Sequence, residues 1–361
     1  MLFKMDINER IKILREVGEE IISEEELIEL LKNKKEPVAY DGFEPSGNIH
    51  IAQGILRAIN ISKIIKAGFK FKVLIADWHA AANNKFNGDL EKIRIVGEYF
   101  KEVWKACGMD TDKVEFIWAS DLVKDPEYWK IVLNVARANT VTRIIRTSQI
   151  MGRSESETLS AAQILYPCMQ TADIFYLKVD VAQLGMDQRK VNVLAREIGE
   201  KLGFWKPIII SHHMLMGLGK PPDTGNTLEK AIAMKMSKSI PDSSIFMTDT
   251  EQEIKQKISK AYCPEKQIDE NPIIEYCKYI IFEKFESIEI KRPEKFGGNL
   301  HIKSYNELVK LFSNGEIHPI DLKTAVAYYI NELIKPVREH FENNKHAKEL
   351  KEKVMSYKTT R

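Results

Sequence analysis

The feature that most constrains this chain is a regular alternation, between about residues 36 and 213, of short apolar runs with longer amphipathic segments. The short runs have the composition of strands, whereas the longer segments carry apolar residues at helical spacing. The strand-like runs are PVAYDGF, KFKVLIAD, VEFIWAS, VDVAQLG and PIIISHH. The helix-like segments are residues 49–67, 89–107, 126–150, 163–177 and 188–202. This alternation predicts an α/β fold with a Rossmann-like, doubly wound parallel sheet, which binds ligands where strands end and helices begin.

The pattern changes after about residue 243, where the β signal fades. Four further helices are predicted there, over residues 251–261, 272–285, 305–312 and 318–343. A chain of 361 residues is long enough for two domains of ordinary size. We therefore predict a Rossmann-like domain over residues 1–242, with helices at its N-terminus, followed by an α-helical C-terminal domain over residues 243–361.

Composition and charge exclude several classes of protein. Charged residues make up 29% of the chain and no apolar run approaches the length of a bilayer span, which excludes a membrane protein. The N-terminal MLFKMDINERIK lacks the apolar stretch of a secretory signal, which predicts a cytoplasmic location. The four cysteines are scattered without a Cys-x-x-Cys pair, which argues against structural zinc and disulfides. Because the net charge is only +2, a polyanion has to bind local basic patches.

Several enzyme signatures are absent from the sequence. There is no G-x-x-x-x-G-K-[ST], G-x-G-x-x-G, His-Glu-x-x-His or G-x-S-x-G motif. P-loop nucleotide hydrolysis, dinucleotide-dependent redox chemistry, zinc proteolysis and serine hydrolysis therefore lack support.

A tight turn follows the first predicted strand, in the stretch PSGNIHIAQG from Pro45 to Gly54. Gly47 permits a positive φ, and the residues after it open a helix whose free N–H groups and positive dipole end face the edge of the sheet. Such a helix end suits phosphate, and His50 in the first turn can reach a phosphate oxygen. Taken alone, a histidine in this position is more often a surface residue.

A second motif, KMSKS at residues 235–239, follows the Gly-rich stretch MGLGKPPDTGN. Two lysines separated by two small or apolar residues on a flexible loop can close over a polyphosphate and neutralise it. In isolation, a basic surface loop explains the motif as well. Its co-occurrence with P-S-G-x-x-His, nearly two hundred residues earlier, is far more specific than either motif alone.

The two motifs together resemble the signatures of class I aminoacyl-tRNA synthetases, His-Ile-Gly-His and Lys-Met-Ser-Lys-Ser. The second is complete here, whereas the first reads His50-Ile51-Ala52-Gln53. The resemblance implies that ATP, accompanied by Mg²⁺, binds between the motifs, that no further metal is bound, and that His50, Lys235 and Lys238 are catalytic. The ATP-binding residues that it implies are Gly47, His50, Ala52, Gln53, Lys235, Ser237 and Lys238.

A third motif lies in YPCMQTADIFY, where Tyr166, Gln170 and Asp173 fall at i, i+4 and i+7 and therefore on one face of the predicted helix. Three polar side chains on a helix of core composition need partners, which an internal hydrogen-bond network or a ligand can supply. Together with GMDQRK, AYDGFEPSG, ADWHA, AYCP, KRPEKFGG and HPIDLK, the motif resembles tyrosyl-tRNA synthetases of the archaeal and eukaryotic type. The resemblance extends over about residues 10–340.

This resemblance implies a tyrosine site and a two-step reaction. Tyr40 and Asp173 are expected to hydrogen-bond the phenol of tyrosine. The whole implied site comprises Tyr40, Gly42, Glu44, Tyr166, Gln170, Asp173 and Gln188, of which Tyr166, Gln170 and Gln188 hold the α-ammonium group. L-Tyrosine reacts with ATP to give tyrosyl-adenylate and pyrophosphate, and the tyrosyl group then passes to the terminal adenosine of tRNA(Tyr). Neither step needs an enzyme nucleophile.

The resemblance also implies contacts with tRNA. KRPEKFGG and HPIDLK match the anticodon-reading surface of the family, through Phe296, His318, Asp321 and Lys323. Without the resemblance, a buried aromatic residue and a helix N-cap are the better explanations of Phe296 and Asp321.

Basic residues in the first domain can serve tRNA, a dimer partner or solvent. Arg189 and Lys190 are candidates for binding the acceptor end, whereas Arg143, Arg146 and Arg153 lie beside the segment near 121–165 where the family forms its dimer. We expect a homodimer that binds tRNA(Tyr), L-tyrosine and ATP, and neither DNA nor a membrane.

Three alternatives stay open. A tryptophanyl-tRNA synthetase of the same fold would require an indole pocket, against which Asp173 argues. A non-aminoacylating RNA-binding relative would have lost its catalytic motifs, and KMSKS is intact. A small-molecule nucleotidyltransferase can share the His-containing turn but not the anticodon-like C-terminal part.

Overall fold

The computed structural model describes residues 5–151, 158–222, 234, 236 and 241–357. The strands of its central sheet are β1 Gly18–Ile22, β2 Val38–Phe43, β3 Lys70–Ile75, β4 Val114–Trp118, β5 Val181–Ala182 and β6 Ile208–His212. Their order is β1-β6-β5-β2-β3-β4, with β2 to β6 parallel and β1 antiparallel to β6. The predicted doubly wound sheet is confirmed, and its switch point lies between β2 and β5.

Helices cover the sheet because its parallel strands are buried on both faces. They are α1 Ile7–Val17, α2 Glu24–Asn33, α3 Arg57–Lys66, α4 Asp77–Ala82, α5 Leu90–Ala106, α6 Ala119–Leu122, α7 Pro126–Arg137, α8 Val141–Thr147, α9 Ala161–Tyr176 and α10 Arg189–Gly199. Polar side chains mark where helices begin: Asp89 accepts from the Lys92 N–H at the start of α5, and Ser160 forms a capping box with Gln163 at the start of α9.

The helices predicted over residues 49–67 and 126–150 differ from the structure in detail. The helix predicted over residues 49–67 starts with a π-helical turn, Ala52–Leu56, before α3. The segment predicted as one helix over 126–150 contains α7, α8 and a 3₁₀ turn. Side-chain hydrogen bonds explain the break, because Asn139 donates to the last turn of α7 and the Thr140 hydroxyl accepts from the first turn of α8.

The N-terminal segment contains a strand that the sequence pattern does not reveal. β1 lies between α1 and α2 and pairs with β6, so that Ile22 is opposite Ile209. Its sequence, GEEII, does not alternate between apolar and polar residues. The strand therefore depends on the edge that β6 offers for pairing.

The C-terminal part is mainly helical, as predicted. Its helices are α11 Glu251–Lys260, α12 Pro272–Tyr276, α13 Phe282–Lys284, α14 Tyr305–Asn314, α15 Pro319–Asn343 and α16 Lys345–Ser356, and a π-helical turn, Cys277–Ile281, joins α12 to α13. It also contains an antiparallel pair that was not predicted, β7 Ile288–Ile290 and β8 Leu300–Ile302. KRPEKFGG is the loop between these strands, and Gly297 and Gly298 adopt positive φ there. Three-residue strands are too short to show an alternating pattern.

The two halves of the chain pack against each other through backbone pairing and a shared apolar cluster. The Ile51 N–H donates to the Ile245 carbonyl at 2.8 Å, and the Met247 N–H donates to the Ile49 carbonyl at 2.9 Å. The turn that carries His50 is thereby joined to the segment that follows KMSKS. The division into domains 1–242 and 243–361 stays a prediction.

Candidate active site

A cavity of about 280 Å³ lies at the carboxyl ends of β2 and β6, beside the switch point. All the residues predicted to bind tyrosine line it: Tyr40, Gly42, Glu44, Tyr166, Gln170, Asp173 and Gln188. Of the predicted ATP-binding residues, His50, Ala52 and Gln53 line the cavity, whereas Gly47 does not. Lys235, Ser237 and Lys238 lie outside the described residues, although Met236 between them lines the cavity.

Tyr40 and Asp173 supply a buried donor and a buried acceptor to this cavity. Each residue is only 1% exposed, and the Tyr40 hydroxyl makes no hydrogen bond within the described part of the chain. Burial, reinforced by the charge of Asp173, raises the pKa of Tyr40 well above its ordinary value. The hydroxyl therefore stays neutral. Such a pair suits a ligand hydroxyl, which donates to one group and accepts from another.

Two side chains contact the oxygen atoms of the Asp173 carboxylate. The Tyr128 hydroxyl donates to Oδ1 at 2.9 Å, and Nε2 of His79 lies 3.0 Å from Oδ2. Both residues are buried. Burial lowers the pKa of His79, but the Asp173 carboxylate and other nearby acidic groups outweigh burial, so the pKa is raised overall. A carboxylate has about four acceptor positions, so it can still accept from a ligand.

Sequence reasoning did not identify Tyr128 or His79 as functional. His79 stands in ADWHA, a motif that was noted, but nothing in the sequence connects it with Asp173. Tyr128 has the spacing of an ordinary core residue of α7, alongside buried Val132 and Val135. Its role becomes visible only where α7 packs on α9.

A second group of predicted residues offers further acceptors to the cavity. Nε2 of Gln170 donates to Oε1 of Gln188, and Nε2 of Gln188 donates to the Ile150 carbonyl, both at 3.1 Å. The Glu44 carboxylate accepts from Nδ2 of Asn83 at 2.9 Å. Burial, with a contribution from Glu44, raises the pKa of Tyr166 well above its ordinary value. Oriented amides, a neutral hydroxyl and a carboxylate suit a ligand ammonium group.

Side-chain hydrogen bonds stabilise the turn after β2. Gly47 adopts φ 111°, the left-handed conformation that the turn requires. Oδ1 of Asn48 accepts from the Ile49 N–H at 2.8 Å and from the Tyr99 hydroxyl at 2.7 Å. Oε1 of Gln53 is buried and has no hydrogen-bond partner among the described residues. Because buried polar atoms are normally paired, this oxygen favours a bound ligand.

A buried polar network that was not predicted forms another part of the cavity wall. Arg57, only 2% exposed, lies 2.5 Å from Asp41 and also donates to Gln183 at 2.8 Å. Nδ1 of His212 lies 3.0 Å from the same guanidinium. Burial raises the pKa of Asp41 to about 6, although Arg57 opposes the shift. Burial and then the charge of Arg57 lower the pKa of His212 well below its ordinary value, so His212 is the neutral acceptor of this network.

His213, the next residue, is a charged link between three elements. Its Nδ1 lies 3.2 Å from Glu19 of β1 and its Nε2 lies 3.1 Å from Glu275 of α12. The imidazole also stacks on Tyr279 at 4.4 Å. Burial lowers the pKa of His213, but the two carboxylates outweigh burial and raise it to about 9.

This raised pKa predicts that stability falls as pH rises. The folded protein holds the proton of His213 more tightly than the unfolded chain, so the stabilisation is complete below about pH 6.5 and is lost as pH approaches about 9. The His213→Gln variant is expected to show a flatter decline in the free energy of unfolding over this range, with a difference from wild type of up to about 3 kcal/mol. Urea unfolding at a series of pH values measures the free energy of unfolding of the wild type and the variant. The exposed His301→Gln control should keep the wild-type slope, and an unchanged slope in His213→Gln would contradict the link.

The residues predicted to read the anticodon lie in the loop between β7 and β8 and at the start of α15. Phe296 is 61% exposed, and the Lys295 ammonium lies 4.9 Å from its ring centre, so the alternative of a buried aromatic is wrong. The N-cap of α15 is His318, which accepts from the Ile320 N–H, and not Asp321, which lies in the first turn. Lys323 donates to the Ser259 carbonyl at 3.1 Å.

The side chains of three of the five basic residues singled out in the first domain have partners in the structure. Arg189 pairs with Glu20 at 2.7 Å, and Arg143 pairs with Glu197. Lys190 donates to the carbonyl of Arg146, whose own side chain is exposed. Arg153 lies outside the described residues. Whether this group contacts tRNA stays a prediction.

Among residues 5–151, 158–222, 234, 236 and 241–357, no three His, Cys, Asp or Glu side chains cluster as ligands for a metal ion. Within the same residues, no helix combines the length and the apolar character that crossing a bilayer requires.

Comparison with known proteins agrees with this geometry. The sequence profile of the tRNA synthetases class I (W and Y) matches residues 32–335. The chain belongs to this family. It is 52% identical over 359 residues to tyrosine–tRNA ligase 1, cytoplasmic, of Arabidopsis thaliana, covering 99% of the chain and 90% of that relative. The crystal structure of tyrosyl-tRNA synthetase complexed with L-tyrosine from Pyrococcus horikoshii superposes with a TM-score of 0.89 at 38% identity, covering 96% of this chain and all of that one.

Tryptophan-specific members of the family are more distant. Tryptophanyl-tRNA synthetase from Aeropyrum pernix superposes with a TM-score of 0.67 at 18% identity, covering 99% of this chain and 94% of that one. This likeness shows a shared fold only. The Arabidopsis and Pyrococcus relatives, which share sequence as well as fold with the chain, carry the tyrosine name.

Proposed function

We propose that the chain is a tyrosine–tRNA ligase, which activates L-tyrosine with ATP and transfers the tyrosyl group to the terminal adenosine of tRNA(Tyr). The observation that carries the proposal is the pair formed by Tyr40, a buried hydroxyl with no hydrogen-bond partner among the described residues, and Asp173, a buried carboxylate in the same cavity. Phenylalanine lacks the hydroxyl that would satisfy both groups, and an unsatisfied buried polar group is costly. Specificity for tyrosine follows.

The other residues of the cavity supply the rest of the tyrosine site. Tyr166, Gln170 and Gln188 accept hydrogen bonds from the α-ammonium group, and Gly42 and Glu44 border it. The fixed orientation of the two glutamine amides supports this assignment, since Gln188 is itself held by the Ile150 carbonyl. Positioned acceptors of this kind bring the carboxylate of tyrosine to the nucleotide.

Activation requires positioning and charge stabilisation rather than a nucleophile from the enzyme. A carboxylate oxygen of tyrosine attacks the α-phosphorus of ATP, and the bond from that phosphorus to the bridging oxygen of pyrophosphate breaks. The helix end that follows Gly47 and the side chain of His50 donate to phosphate oxygens, while Lys235 and Lys238 neutralise charge on the departing pyrophosphate. ATP enters as its Mg²⁺ complex, and the metal belongs to the substrate.

Tyr128 provides a test of the phenol site. Replacing Tyr128 with phenylalanine is expected to raise the KM for tyrosine in ATP–pyrophosphate exchange roughly tenfold, because Asp173 loses a hydrogen bond that holds it in place. The KM for ATP should not change. Tyr176→Phe is the matched control, since the Tyr176 hydroxyl donates to Asp125 at 2.7 Å and its ring packs edge-on against Tyr128. Equal effects of the two substitutions would contradict the role given to Tyr128.

During transfer to tRNA(Tyr), the anticodon binds to the C-terminal part of the chain. Phe296, exposed in the β7–β8 loop, is suited to stack on an unpaired base, and Asp321 is suited to accept from a guanine edge. His318 and Lys323 border the same helix start. The acceptor end reaches the cavity near Arg189 and Lys190, with Arg143 and Arg146 beside them.

Phe296→Ala is expected to separate the two steps of the reaction. Tyrosylation of tRNA(Tyr) should fall roughly tenfold in kcat/KM, because base stacking on an aromatic side chain contributes about 1–3 kcal/mol. Tyrosine-dependent exchange should remain at the wild-type rate. Both reactions are followed on the same preparation, with Leu90→Ala, which removes an exposed apolar side chain of α5, as the control. If the wild-type chain failed to charge tRNA(Tyr) with tyrosine, the proposed function itself would be contradicted.

A homodimer forms through the outer face of α7 and α8 in this proposal. Leu133 and Val141 are 61% and 62% exposed, which is unusual for large apolar side chains close together in sequence. They lie within the segment near 121–165 for which the dimer contact was predicted. The protein acts in the cytoplasm, as the name of its plant relative states for that relative.

A further inference from the structure

The loop between α4 and α5 has an unusual backbone. Asn84, Phe86 and Asn87 adopt left-handed conformations, with φ of 61°, 50° and 57°. Asparagine tolerates this region, but a bulky side chain such as phenylalanine does not adopt it without tertiary support. Phe86 is nevertheless buried in the protein, with only 6% of its surface exposed. Contacts made by its ring must therefore compensate for the backbone conformation.

The C-terminal helix supplies such contacts. α16 packs along α5 and buries Ala347, Leu350 and Val354. Tyr357 follows the last turn of α16, and its ring lies edge-on to the ring of Phe86 with 5.7 Å between the centroids. An edge-to-face pair at this distance is favourable beyond the burial of the two rings. The end of the chain thus packs on a loop of the first domain.

Lys85, between the left-handed residues, lies beside Glu44, a residue of the active-site cavity. Its Nζ lies 3.6 Å from Oε1 of Glu44, and the two side chains are only 16% and 18% exposed. Glu44 also accepts from Asn83, at the start of the same loop, and lines the cavity. An ion pair this sheltered is screened much less than one on the surface.

We infer that Tyr357 and Phe86 are positioning residues for adenylation: the C-terminal helix fixes the Asn84–Gly88 loop so that Lys85 neutralises Glu44 at the cavity. The inference rests on the proposed function. When the ring of Tyr357 is lost, the loop relaxes from its left-handed conformation and Lys85 leaves Glu44. The uncompensated carboxylate then repels the triphosphate of ATP, while it still attracts the ammonium group of tyrosine.

The expected signature is therefore a separation of the two Michaelis constants. Tyr357→Ala should raise the KM for ATP in tyrosine-dependent pyrophosphate exchange roughly three- to tenfold and leave the KM for tyrosine unchanged or lower. General loosening of the fold would not separate the two constants in this way. Lys85→Met should have the same effect, because it removes the neutralising charge directly.

The experiment compares five variants with the wild-type chain, whose own exchange activity tests the proposed function first. Tyr357→Phe should restore wild-type constants, and Met355→Ala, an exposed residue of α16, should have no effect. The double variant Tyr357→Ala with Lys85→Met should be no worse than either single variant, since both act through one contact. Trypsin cleavage after Lys85 should be faster in Tyr357→Ala than in Met355→Ala. Additive effects in the double variant, or equal rises in both Michaelis constants, would overturn the inference in an otherwise active enzyme.

Discussion

Replacing Asp173 with asparagine is expected to lower kcat/KM for tyrosine in ATP–pyrophosphate exchange roughly a hundredfold. The substitution keeps the size of the side chain but replaces the carboxylate, which accepts from Tyr128 and pairs with His79, with a neutral amide. A hydrogen bond to a charged group contributes about 1.5–3 kcal/mol, and about 1.4 kcal/mol corresponds to a factor of ten. The loss should appear mainly in binding of tyrosine, so the exchange rate is measured while tyrosine is varied at saturating ATP.

Asp125→Asn is the matched control for this prediction. Asp125 accepts from Tyr176 at 2.7 Å and caps α7, and asparagine caps a helix as well as aspartate does. The control should therefore retain activity, and thermal unfolding of both variants checks that they fold. If the Asp173→Asn variant catalysed ATP–pyrophosphate exchange with the wild-type kcat/KM for tyrosine, the phenol of tyrosine would not bind at Asp173.

Lys238→Ala is expected to slow formation of tyrosyl-adenylate by roughly 10²–10³-fold, as the loss of one preorganised charge-stabilising group does in other enzymes. The first signature motif of this chain has Gln53 in place of a second histidine. A carboxamide can donate a hydrogen bond but cannot become a cation. We therefore expect more of the stabilisation of the departing pyrophosphate to depend on Lys235 and Lys238. Single-turnover quench-flow measurement of adenylate formation gives the rate.

Two further variants complete this prediction. Lys220→Ala removes an exposed lysine from the Gly-rich stretch that precedes KMSKS and should leave the rate unchanged. Gln53→His should form adenylate faster than the wild-type chain, because a second cation then reaches the phosphates. A near-normal rate in Lys238→Ala would contradict the transfer of charge stabilisation to the second motif.

Periodicity was a good guide to the long elements of the fold. The helices around Asp89 and Asp173 and the strands β2, β3, β4 and β6 follow from patterns that repeat over several turns or residues. β1 was not predicted because its sequence does not alternate and it depends on pairing with the distant strand β6. The β7–β8 pair was not predicted because each strand has only three residues. The break between α7 and α8 near Asn139 was not predicted because it depends on side-chain hydrogen bonds rather than on periodicity.

The same distinction applies to the site. Residues inside contiguous motifs, such as Tyr166, Gln170 and Asp173, are recognisable because one helix presents them together. Tyr128, which touches Asp173 from another helix, gives no local signal. The contact between Tyr357 and Phe86 joins positions that are far apart in the sequence and is visible only in three dimensions.

The most direct test of the central claim is ATP–pyrophosphate exchange by the purified chain with each of the twenty amino acids in turn. The proposed selectivity depends on the Tyr40 hydroxyl, which has no hydrogen-bond partner among the described residues, and on the Asp173 carboxylate. Both groups are buried and line the cavity. The account predicts rapid exchange with tyrosine and exchange near background with phenylalanine and tryptophan. Exchange with tryptophan alone, or with no amino acid, would contradict it.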